Sequence, residues 1–158
     1  MSESNPNHQT FVVKVDYAPM SYEQLRRRFS GHVHDGYAHV NMRTYHTAKD
    51  IALDERETVF EYLCCGTHAN ADDAHDLINQ SGCRPARFEE LIGFVWAYPA
   101  EAVKHPIVAL GSYAFMGDDD IYVPCVRVDP ERGLGLGLWY VGFPRTFPPD
   151  LRLLVVRT

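Results

Sequence analysis

The sequence has no apolar stretch approaching the ~20 residues that a membrane-crossing helix needs. It also has no excess of basic charge. Lys and Arg number 15 against 21 Asp and Glu, a formal net charge of -6, so nucleic acid and anionic membrane are not expected partners. The first nine residues carry neither a charged leader nor an apolar run. They are expected to be a disordered lead-in (1–9) rather than a secretory signal, ahead of a single globular domain over 10–158. Cysteine is sparse and has no C-x-x-C spacing. Cys64, Cys65, Cys83 and Cys125 are expected to be reduced, mostly buried thiols of a cytoplasmic protein, with a zinc site or a reactive thiol as the alternative. No nucleophile stands out either: Ser112 follows Gly111, but G-x-S-x-G is missing and no His/Asp order suggests a triad. No internal repeat or low-complexity tract occurs.

What is present is ordinary globular composition, 46% hydrophobic and 23% charged in 158 residues, enough for one independent core. Phe11, Val13, Val15 and Tyr17 alternate with Lys14 and Asp16, which predicts a strand over 10–17. Ser21-Tyr22-Glu23-Gln24 is a capping box that opens a helix through Phe29, with Leu25 and Phe29 buried and Gly31 expected to stop it. The irregular stretch 32–53 is expected to hide two short strands, one near 38–42, and a clearer strand follows over 58–65. Asn70 caps a helix over 71–80, and Gly82 suits a left-handed C-cap. Arg84-Pro85 is expected to break the chain before a third helix over 87–97, striped by Phe88, Leu91, Ile92 and Val95 and ended by Pro99. Four strands are expected after it, over 107–113, 121–128, 134–141 and 151–157, separated by turn-forming residues. Helices and strands are not in strict βαβ alternation, so the expected fold class is α+β: three helices with a mainly antiparallel sheet.

Several clusters invite a chemical reading. His32 and His34 form H-x-H and point the same way in an extended segment, with His39 and His46 downstream. Together they are candidate ligands for a divalent transition metal, and His68, His75 and Asp76 are available as well. The plainer reading is a solvated or structural loop. Asp118-Asp119-Asp120 is a possible calcium turn without the EF-hand pattern, and reads better as a hairpin tip. Gly133, Gly135 and Gly137 alternate with Leu134, Leu136 and Leu138. That is not a nucleotide fingerprint, but a strand with leucines toward the core and a bare opposite face on which a helix, another strand or a ligand can pack. Arg26, Arg27, Arg28 and Arg43 read as a solvated basic face. Glu89 and Glu90 are consecutive helical positions and point apart. Trp139, Tyr140, Phe143 and Phe147, interleaved with Gly142, Pro144 and Arg145, are the natural contact surface for a ligand or protein partner, against core packing.

Two blocks are specific enough to compare. One is Gly82-Cys83-Arg84-Pro85-Ala86-Arg87-Phe88-Glu89-Glu90-Leu91. The other joins Pro106-Ile107-Val108-Ala109-Leu110-Gly111-Ser112, Val123-Pro124-Cys125 and the terminal Leu153-Leu154-Val155-Val156-Arg157. They resemble a family of small bacterial proteins, common in candidate-phylum genomes, that carries G-x-R-P-A-x-x-E-E-L and P-I-V-A-L-G-S. The likeness covers most of the chain from about residue 21. Tyr37-Ala38-His39-Val40-Asn41 is similar to that family's Y-D-W-V-N block, departing from it at Ala38 and His39. No activity is attached to the family, so the resemblance implies no catalytic residues. A more distant similarity is to C-type-lectin-like modules. There the order of elements agrees while Cys83 and Pro85-Ala86-Arg87 depart from the motif, and fold analogy alone says little about function. The resulting expectation is a non-enzymatic, cytoplasmic ligand- or protein-binding domain without a cofactor. The alternative is a small metal-dependent hydrolase using the His-rich segment 32–46.

Overall fold

Leu153, Leu154, Val155 and Val156 are four successive buried residues, as in a strand covered on both faces. The computed structural model describes residues 9–39, 42–44, 57–117, 120–142 and 145–158. In it that segment is an interior strand of a nine-stranded, mainly antiparallel sheet. The elements run β1 (Phe11–Lys14), α1 (Tyr22–Arg28), a 3-10 turn (Asp35–Ala38), β2 (Arg43–Thr44), β3 (Glu57–Leu63), α2 (Ala71–Ser81), β4 (Cys83–Pro85), α3 (Phe88–Ala97) and α4 (Pro99–Lys104). They continue β5 (Ile107–Val108), β6 (Ser112–Met116), β7 (Asp120–Asp129), β8 (Gly133–Tyr140) and β9 (Arg152–Arg157). The α+β class is therefore as expected. The sheet order is β1-β3-β9-β5-β7-β6-β2, with β4 added to β9 and β8 to β7. Among the pairings, β5 with β9 is parallel. No helix among the described residues is long and apolar enough to cross a membrane.

Alternation along β9 sends its side chains to two cores. Leu154 and Val156 join Phe60, Ile107 and Leu136 under α3, where Leu91, Ile92 and Val95 form the expected stripe, and under Leu25 and Phe29 of the α1 region. Leu153 and Val155 face the other way, packing with Val108, Leu110, Ala74 and Ile78 of α2, and Phe147. The local capping signals hold. Ser21 and Gln24 close a capping box at α1, Asn70 and Asp73 close another at α2, and Gly82 is left-handed at φ 79°.

The structure departs from expectation where tertiary contacts decide. Among the described residues there are four helices rather than three: α3 ends at Ala97 ahead of Pro99 as expected, and Pro99 then starts α4 at its first position, where a missing N–H costs nothing. Arg84-Pro85 is not merely a break, because Cys83–Pro85 pairs with β9. The strand expected over 107–113 is two strands. The chain turns between them because Gly111 donates its N–H to Ala86 O at 2.8 Å, and a Cβ there would lie 2.6 Å from that oxygen. Ser112 then accepts the N–H of Phe88 at 2.8 Å, satisfying a free donor at the start of α3. The two sequence blocks thus meet in space as one structural knot. Gly31 does not stop α1, which ends with Phe29 in an extended conformation. Ala38, His39 and Met42 of the expected 38–42 strand are not in a strand, β2 begins at Arg43, and residues 40–41 lie outside the described residues. The lead-in residues 1–8 and Asp118-Asp119 lie outside the described residues.

Candidate functional site

The hairpin turn from Asp129 to Gly133 fixes the register of β7 and β8. Asp129 Oδ1 accepts the N–H of Glu131 at 2.8 Å and of Arg132 at 3.2 Å, and Gly133 supplies φ 91°, open to a residue without Cβ. In that register Asp129 pairs with Gly133, Arg127 with Gly135, Cys125 with Gly137 and Val123 with Trp139. Residues directly paired across an antiparallel ladder share a face. The three glycines therefore lie beside Arg127 and Cys125, while Leu134, Leu136 and Leu138 turn into the core under α3. Of the face expected to be bare, two positions are packed by the chain just after α1: a Cβ at Gly133 would lie 2.6 Å from Ser30 Oγ and one at Gly135 3.0 Å from His32 O, while Gly137 meets nothing closer than 3.8 Å.

The outer edge of β8 is closed by the chain just after α1. Gly31 N–H donates to Leu134 O at 2.7 Å, Leu136 N–H to His32 O at 2.9 Å, and His34 N–H to Leu136 O at 2.9 Å. Val33 bridges Leu136 in parallel. Gly31 is needed for this approach, because a Cβ there would lie 2.7 Å from Leu134 O. Tyr37 ties the same segment down by donating its hydroxyl to Gly137 O at 2.8 Å. It stacks on Phe88 with centroids 5.5 Å apart.

On the glycine face α2 and the 147–151 segment cover the sheet around β9 and β5, and this cover gives way at β8. There the structure has a cavity of about 400 Å³. Gly133, Gly135 and Gly137 line it, and Gly137 is the one whose side-chain position is open. His32, His34, Arg127, Arg132, Arg145 and Trp139 stand around it, with Tyr122 and Tyr140 also on its wall. The Arg145 guanidinium lies 5.0 Å from the Trp139 ring centroid, within cation–π range. Behind Trp139 the buried Phe147 tilts against it at 6.5 Å. Tyr140 packs against Tyr122 at 5.4 Å. A more open groove continues past Trp139 and Arg145 to His68 and Pro148. The indole Nε1 of Trp139 is shielded from solvent and has no acceptor among the described residues.

The electrostatics of the cavity are lopsided. Arg127, Arg132 and Arg145 make no ion pair among the described residues, and Asp129 is the carboxylate on the wall. Its own carboxyl is held below the ordinary range, first by the backbone N–H groups of Glu131 and Arg132 and then by the nearby Arg132 and Arg127 charges. The Cys125 thiol, by contrast, is pushed up to about 12 by burial. It is a packed wall atom rather than a nucleophile.

Of the expected site residues, the cavity brings together His32, His34, Trp139, Tyr140 and Arg145. Phe147 is placed in the core, 4% exposed, supporting Trp139 from behind. His39 is exposed and away from the cavity wall, and His46 and Phe143 lie outside the described residues. His34 accepts the Gly36 N–H on Nδ1 at 2.9 Å. That bond uses the Nδ1 lone pair, so a neutral ring carries its hydrogen on Nε2 and offers a donor there rather than a metal-binding lone pair. No group of three or more His, Cys, Asp or Glu able to hold a metal occurs among the described residues. Arg127 and Arg132 were not anticipated as site residues. The signal for them was the hairpin itself: a turn centred on Glu131 places Arg127 opposite Gly135. Comparison with protein-family models, curated proteins and solved structures finds no match.

Proposed function

We propose that this chain is a non-enzymatic binding domain whose ligand seats in the cavity on the glycine face of β7 and β8. One observation carries the reading. Beside Gly137, where a Cβ would meet nothing closer than 3.8 Å, the structure leaves a cavity walled by cationic and aromatic side chains rather than filled by the core. Gly133 and Gly135 admit the close approach of Ser30 and His32, whereas Gly137 opens on a concave site with a few convergent polar groups, which is what a small ligand needs.

The test is a thermal-shift screen of a metabolite library on the wild type and on Gly137→Phe. A Cβ at Gly137 meets nothing closer than Cys125 O at 3.8 Å, so the aromatic side chain projects into the cavity without straining the strand. Compounds that stabilise the wild type and not the variant support the site. Compounds that stabilise both equally bind elsewhere and overturn it. Elemental analysis separates this reading from metal-dependent hydrolysis by the His-rich segment. Stoichiometric zinc, iron or manganese that is lost in His34→Ala would favour the hydrolase.

A further inference from the structure

We infer that the ligand of this cavity is an aromatic oxyanion, a flat ring carrying a phosphate or carboxylate group. The inference rests on the binding reading above and narrows it to a ligand class. The first ground is charge. Three guanidinium groups line one cavity of a chain whose net charge is -6, and none is neutralised by an ion pair among the described residues. The single wall carboxylate, Asp129, has an oxygen engaged by two backbone N–H groups of its own turn. It holds the hairpin and, as one carboxylate against three guanidinium groups, leaves the wall cationic. Guanidinium forks match carboxylate and phosphate oxygens in pairs, so an oxyanion is the ligand group they suit best.

The second ground is the hydrogen on His34. With Nδ1 accepting from Gly36, the neutral ring keeps its remaining N–H on Nε2. The neutral histidine thus adds a donor to the same wall. A cation or metal ligand would need acceptors here, and the wall supplies donors.

The third ground is shape. The base is open at Gly137 and bounded on one side by the His32 backbone over Gly135 and on the other by the Trp139 ring with Arg145 laid against it. A planar group can lie on such a surface where a branched or globular one would find no matching hollow. The cavity of about 400 Å³ is at the small end of ligand pockets, sized for a ring system with one charged substituent.

The experiment is calorimetric titration of the full chain with naphthyl phosphate, naphthoate, naphthol and inorganic phosphate. The two ring anions are expected to bind, and naphthol and inorganic phosphate to bind at least roughly tenfold more weakly, since each lacks one half of the recognised chemistry. Which ring anion binds more tightly distinguishes a phosphate ligand from a carboxylate one. Arg127→Ala should cost the ring anions roughly tenfold or more and leave naphthol unchanged, and added salt should weaken the anions alone. Naphthol binding as tightly as the anions would overturn the ligand class while leaving the cavity as a binding site. Failure of every probe on the wild type would also overturn the class. The binding reading itself would then fall only if the library screen found no compound blocked by Gly137→Phe.

Discussion

Tyr17 donates its hydroxyl to Glu90 Oε2 at 2.7 Å across 73 positions of sequence. Glu90 is fully buried, and Arg84 holds it from the other side with both terminal nitrogens, at 2.8 and 2.7 Å. The N–H of Arg87 completes the set at 2.9 Å. Each carboxylate oxygen therefore accepts two hydrogen bonds, which is the condition under which a buried charge is tolerated. Glu90→Gln leaves Arg84 buried beside a neutral amide, and the expected loss is about 3–5 kcal/mol of unfolding free energy in urea titration. Replacing Arg84 and Glu90 together by Met and Leu should cost less than the two single changes summed. A strictly additive result would show that the two side chains do not depend on each other.

The same contact gives the protein an alkaline limit. Tyr17 is pushed up to about 12, mainly by burial and then by the Glu90 charge and hydrogen bond. Its folded value lies above the unfolded one, and ionisation removes the hydroxyl proton. The stability this gives is therefore fully present below about pH 10 and is lost as pH rises from there through about 12. In Tyr17→Phe the stability-against-pH curve above about pH 10 should be flatter than in the wild type. Tyr37 and Tyr62 are raised as well, chiefly by burial, so some slope will persist. Equal slopes in the two proteins would remove Tyr17 from the account.

Three glycines should behave differently, for reasons of space alone. Gly111→Ala pushes a Cβ to 2.6 Å from a backbone oxygen, and Gly135→Ala brings one to 3.0 Å from His32 O. Gly137→Ala meets only ordinary contact at 3.8 Å. Expected losses are about 3 kcal/mol or more at Gly111, about 1 kcal/mol at Gly135 and near zero or a gain at Gly137, where Ala replaces a flexible residue. Denaturation midpoints of the three variants test the order, and a destabilised Gly137→Ala would mean that the cavity base is not open.

Thiol chemistry should single out Cys64. It is exposed, while burial pushes Cys65 up to about 11 and Cys125 up to about 12, and Cys83 is buried beside Glu61. A disulfide reagent at about pH 8 should therefore titrate one thiol quickly and the others only as the protein opens. Rapid reaction of Cys125 would show that the cavity reaches deeper than its packed wall allows.

The elements that sequence reading recovered are those whose signal is local. A capping box needs only Ser21 and Gln24, or Asn70 and Asp73. A left-handed stop needs only Gly82, and the stripe of α3 needs only its own spacing. The elements it missed depend on a distant partner. Cys83–Pro85 is a strand because β9 lies beside it, and the break at Gly111 exists because the Ala86 carbonyl arrives there. For the candidate site, the leucine and glycine faces of β8 were legible, and the sequence singled out His32, His34, Trp139 and Arg145, which line the cavity. That they meet around one cavity was not legible.

The sequence by itself determined that β8 would have one leucine face and one empty face, because side chains alternate along a strand whatever surrounds it. Only the tertiary structure decided what the empty face became. Cover from α2 ends before β8, the segment carrying His32 and His34 closes the strand's edge, and the hairpin register sets Arg127 beside Gly135. Alternation is a property of the backbone, but the filling of a face depends on which distant segments pack there, and no local spacing encodes that.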